Sequence, residues 1–259
     1  MPLMKTSNPA LSDKTFRGLG GGSYGQAGLI DAANRMTLSG TVNKTGILLI
    51  LALATAAWTW HVFMQSLDMA AVNPLMLLGV FGGFILALVT IFKKEWSPIT
   101  APLYALAEGL FLGALSAFME TRYPGIGIEA VSLTFGTLFV LLIAYQSGLI
   151  KVTQKFRLGI IAATGGICVF YLMQMLLGFI GVRFASINGS GVIGIGFSLV
   201  VVAVAALNLV LDFDFVEQGV AAGAPKYMEW YAAFGIMVTL VWLYLEMLRL
   251  LSKLNGNRR

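Results

Sequence analysis

The chain has 259 residues, of which 58% are hydrophobic and 11% charged, with a net charge of +5. An ordinary soluble domain carries roughly 25% charged residues, so this composition excludes a soluble globular protein. The 17 basic residues are spread along the chain at the ends of apolar segments rather than gathered into a patch, which argues against nucleic acid and for orientation in a bilayer.

Residues 1–44 are rich in Gly, Ser, Asn and Thr and show neither a sustained apolar period nor the apolar core of a cleavable signal. They are expected to form a flexible polar tail. Seven apolar segments follow, at about 45–66, 75–92, 99–118, 130–150, 158–182, 191–212 and 231–251, each able to cross a bilayer as a helix. Backbone facing lipid must satisfy its own hydrogen bonds, and the segments are twice the length of barrel strands. The predicted fold is therefore all-α: a polytopic membrane protein with a seven-transmembrane-helix bundle over 45–254, and a short tail at 255–259.

Lys and Arg concentrate in cytoplasmic loops. An inside N-terminus places Lys5, Lys14, Arg17, Arg35, Lys44, Lys93, Lys94, Lys151, Lys155, Arg157 and Lys226 on the cytoplasmic side, against Arg122 and Arg183 outside. Arg249, Lys253, Arg258 and Arg259 point the other way. Segment seven either crosses fully against this charge or is partly re-entrant, and a full crossing is favoured.

Several motifs carry no chemistry. Gly20 to Gly25 fits a dinucleotide fingerprint, but no strand precedes it, so it reads as a linker. Ser190 and Ser198 lie among glycines, yet the single His61 has no supporting context as their base. The lone Cys168 excludes a disulfide framework and a multi-cysteine metal site. Asp212 and Asp214 lack the Gly and terminal Glu of a calcium loop. The expectation is a protein that is not an enzyme, with no catalytic residues, cofactor, resident metal or small-molecule substrate. Gly79 with Gly83, and Gly109 with Gly113, have the small-xxx-small spacing that lets helices approach closely.

Of the twelve acidic residues, eight, Glu229 among them, fall in loops or tails. Glu108 sits near the middle of segment three, where an acid costs about 2.5–3.5 kcal/mol to insert, so it is expected to face the bundle interior. Asp212 and Asp214 close segment six, and Glu246 lies within segment seven. Buried carboxyls, and coupled pairs above all, can titrate near physiological pH. In a wet cavity they also suit Ca²⁺. Alternatively, each acid hydrogen-bonds a neighbour and fixes helix packing.

The strings Ser97-Pro98-Ile99 through Ala107-Glu108-Gly109-Leu110, then Leu211-Asp212-Phe213-Asp214, then Leu243-Tyr244-Leu245-Glu246 occur in this order on a seven-span chain. Over about residues 44–254 it resembles the Bax inhibitor-1 family, and within it a bacterial branch with a long polar N-terminus. The resemblance implies a last helix surrounded by the other six, an inner-membrane location, and either a pH-sensitive calcium leak or regulation of cell death and membrane proteolysis. It further implies that Asp212 and Glu246 form a proton-sensing carboxyl pair, with Lys93 or Lys94 as its basic latch. By residue type, Glu108 and Asp214 are added as acids on a cation path. The pair rests on the resemblance, because Glu246 lies about 22 Å along segment seven if that helix begins at Tyr231. Two functions stay open: a calcium leak gated by intramembrane carboxylates, with the bilayer as its surroundings, or an interaction protein acting on a membrane partner such as a protease.

Overall fold

A computed structural model describes residues 34–181 and 185–257. Most of the expected polar tail, with the Gly20 to Gly25 string, lies outside the described residues, as do Arg183, Arg258 and Arg259. Seven helices are long and apolar enough to cross a membrane: α1 (Leu38–Ser66), α2 (Met69–Phe92), α3 (Ser97–Arg122), α4 (Ile126–Gln146), α5 (Gln154–Phe179), α6 (Val192–Ala221) and α7 (Met228–Asn257). The all-helical polytopic fold is as the composition predicts.

Local chemistry sets the helix ends. Thr37, Asp68 and Thr153 each accept a backbone N–H of the first turn with their side chains, which starts α1, α2 and α5. Gly125 precedes α4 at φ 90°, a conformation that favours glycine. Its N–H and that of Gly127 donate to the Glu120 carboxylate at 2.6 and 3.1 Å. Thus an acid from the end of α3 caps the start of α4.

Three boundaries differ from the hydropathy reading. α1 begins at Leu38 rather than near 45, because Thr37 caps it and Lys44, read as tail, is tied to α7. α6 runs to Ala221, so Asp212 and Asp214 lie within the helix and do not close it. α7 likewise starts at Met228, three residues before the first apolar stretch. Hydropathy locates the apolar part of a span, whereas capping and distant partners decide where the helix stops.

α7 is the most buried of the seven spans and packs against α1, α3, α4 and α6. The last helix is therefore central. Its core is built from Tyr231, Phe234, Met237, Leu240 and Leu243. At the other extreme, α5 buries only Ile160 and packs chiefly against α6.

Close approach of α1, α2 and α3 depends on the predicted glycines. A methyl at Gly109 would overlap Thr55 Oγ1 and the Ala52 carbonyl, and one at Gly113 would overlap the Ala56 carbonyl. A methyl at Gly79 would meet the Ala107 carbonyl at 2.6 Å. The contact also lets Thr55 Oγ1 donate across the interface to the Leu106 carbonyl at 3.0 Å. Backbone cannot give way cheaply, so Gly113→Ala should lower the thermal midpoint, with overpacking costs of about 1–3 kcal/mol. Gly136, which has open space around its Cα, should accept alanine without that loss, and equal midpoints for the two variants would refute the packing role.

Candidate functional site

The end of the bundle where α1 begins carries a buried charge cluster. Glu229, in the first turn of α7, is 0% exposed. Its carboxylate accepts from the Thr37 backbone N–H at 2.9 Å and the Thr37 hydroxyl at 2.8 Å. It forms ion pairs with Lys44 and, at 3.1 Å, with Lys226. Lys44 also lies over the Trp230 ring. This corrects the assignment of Glu229 to a solvated loop. The same end is strapped by backbone: Met36 N–H donates to the Ala224 carbonyl at 2.7 Å, and Lys226 N–H to that of Asn34 at 2.9 Å.

The two candidate latch lysines differ. Lys93 follows α2 and is exposed, while the Lys94 ammonium lies 5.8 Å from the centre of the Tyr231 ring in the first turns of α7. Beside them Ser97 Oγ donates to the Tyr227 carbonyl at 3.0 Å. Burial raises the Tyr227 hydroxyl above its usual value, and Glu95 raises it further. That phenol stays protonated throughout the physiological range.

Deeper in the bundle, Asp212 is 0% exposed. Nine residues separate it from the end of α6, which sets it about 13 Å inside. Glu108, eleven residues into α3, lies about 16 Å inside. The two acids therefore share a depth, on helices that both pack against α7. Glu108 is half-buried, interacts with the Tyr104 hydroxyl one turn earlier, and faces Gly83 of α2. Its carboxyl lies between α2 and α3, and its polar neighbour comes from its own helix. Asp214, expected on a cation path, is held by Arg157 of α5 and by the Gln218 amide at 2.7 Å. It tethers α5 to α6.

Glu246 does not join Asp212. It lies eighteen residues into α7, about 27 Å from the start, and so about 13 Å beyond the level of Asp212. Its buried carboxylate, 2% exposed as a residue, accepts from the Tyr171 hydroxyl at 3.1 Å and from Arg249 at 2.9 Å. Arg249 also stacks on the Tyr171 ring. The arrangement joins α5 to α7. The expected carboxyl pair fails because α6 and α7 are antiparallel with a short connection, so 34 residues of separation carry the second acid past the first.

Residue-type reasoning also missed Lys253. Its buried ammonium donates to the Ile187 carbonyl at 2.8 Å, the Gly194 carbonyl at 3.0 Å and Ser198 Oγ at 2.8 Å. These three contacts clamp the start of α6 to the end of α7. The signal was a lysine four residues after Arg249 on a helix already carrying Glu246. Among the described residues, no group of three or more His, Cys, Asp or Glu side chains is arranged to hold a metal ion.

A family model described as Bax inhibitor 1 like matches residues 8–256. The chain belongs to the Bax inhibitor 1 like family. The match covers every helix of the bundle and nearly all of the N-terminal segment. Neither the comparison with curated proteins nor that with solved structures gives a match.

Proposed function

We propose that this family member is a cation leak of the membrane, with Ca²⁺ as the permeant ion, whose conduction is switched by protonation of Asp212. The observation that carries the reading is a carboxyl fully enclosed about 13 Å inside a membrane-spanning helix. At that depth ionisation is costly unless the surroundings answer it, so gain or loss of one proton changes the local packing. Lys94, poised over Tyr231, is better placed than the exposed Lys93 to respond at the mouth. The reading involves no covalent chemistry, cofactor or resident metal. Purified protein in vesicles should pass Ca²⁺ faster as pH falls, compared with empty vesicles. Absence of flux at every pH would overturn the leak.

A second reading, an interaction protein acting on a membrane partner such as a protease, is favoured by α5. That helix buries one residue within the chain and leaves a long apolar surface for the bilayer or for another helix.

The reading includes a cytoplasmic N-terminus in a bacterial inner membrane. Two of the four basic residues that oppose this orientation have partners within the chain: the exposed Arg249 pairs with Glu246, and the buried Lys253 donates to carbonyls and Ser198. In a Cys168→Ala background, cysteines at Ser23 and Gln154 should both be labelled from the cytoplasmic side. Labelling from opposite sides would reverse the assignment.

A further inference from the structure

Glu108 is the one carboxylate among the residues lining a cavity of about 350 Å³ between α2, α3 and α7. Its walls include the rings of Phe84, Tyr104, Phe111 and Phe234, and the remaining lining side chains are aliphatic. No lysine, arginine or histidine lines it. Phe84, one of its lining residues on the membrane-spanning α2, is 62% exposed. The cavity thus joins one ionisable acid, several aromatic faces and a lining residue on the outer surface of the bundle.

This chemistry discriminates among occupants. Ca²⁺ takes six to eight oxygen ligands, and the lining side chains supply only those of Glu108 and Tyr104. A neutral lipid chain offers the acid no polar or charged partner beyond Tyr104 and so makes no use of it. A compact organic cation balances the single charge, and its alkyl groups suit the aromatic faces. The volume is at the small end of the range for ligand pockets. We propose that the cavity binds a lipophilic ammonium ion taken from the membrane, with Glu108 as the countercharge and the surrounding rings as its cage. The proposal stands apart from the leak reading, which turns on Asp212.

Radiolabelled benzyltriethylammonium, added to the full chain in lipid nanodiscs with empty nanodiscs subtracted, tests it. Binding should be saturable at one equivalent per chain, and the uncharged carbon isostere of the probe should compete poorly. Glu108→Gln should weaken binding at least tenfold while elution and thermal midpoint match the parent. Val238→Phe, which fills the cavity from α7 and keeps the acid, should abolish binding and serves where Glu108→Gln fails to fold. Unsaturable uptake, equal competition by the neutral isostere, or full binding by either folded variant would overturn the assignment. Retained Ca²⁺ flux in a variant that has lost amine binding would leave the leak intact, so the two readings fail separately.

Discussion

Glu229→Ala should destabilise the folded bundle by about 3–5 kcal/mol, the range for removing one partner from a buried ion pair. Its carboxylate gathers groups from three places: Thr37 before α1, Lys44 within α1 and Lys226 before α7. Removal leaves Lys44, largely screened from solvent beneath Trp230, with an unanswered charge. It also frees the Thr37 N–H at the start of α1, where the first N–H groups have no partner in the helix. The thermal midpoint in detergent should fall steeply, whereas Glu129→Ala, at an exposed acid in α4, should leave it unchanged. Lys44→Met combined with Glu229→Ala should cost less than the sum of the single changes, because the two share one interaction. Additive losses, or a small loss for Glu229→Ala, would show that the cluster contributes little.

Sequence periodicity and residue type recovered the parts of the molecule that depend on composition. Seven apolar stretches of sufficient length specify seven spans, and the glycine spacings at 79, 83, 109 and 113 mark the α1–α2–α3 contacts because only a missing Cβ permits them. Polar residues at helix ends were misread for one physical reason: their partners are far away in the chain. Glu229 and Lys44 are 185 residues apart, so residue type alone reads each as a solvated terminal charge, and hydropathy starts α1 seven residues late. Residue type alone reads Arg249 and Lys253 as unpartnered terminal charges, whereas Arg249 pairs with Glu246 and Lys253 donates to carbonyls near the start of α6. The level of Glu246 was set by the unseen extension of α6 beyond Asp214. A window that ends where hydropathy falls cannot register a helix continuing through two acids, one enclosed and one paired to Arg157.

Asp212→Asn should raise Ca²⁺ leak at neutral pH and flatten its dependence on pH. The sign follows from the state that asparagine imitates: it keeps the shape of the side chain but carries no charge, like the protonated acid. If ionised Asp212 holds the closed arrangement, acidification removes the hold in the parent protein, and the variant has already lost it. Lys94→Ala should act in the same direction but more weakly, because it removes a cation from the Tyr231 ring at the mouth rather than the titrating group. Glu246→Gln provides the discriminating control. Its carboxylate joins Tyr171 and Arg249 about 13 Å farther along α7, so its loss should loosen α5 while the pH response persists. A coupled pair would behave otherwise, since altering either member shifts the apparent titration of both. Folded Asp212→Asn protein with parental flux at every pH would remove Asp212 from the switch. A midpoint displaced equally by Asp212→Asn and Glu246→Gln would instead restore the coupling that the helix levels argue against.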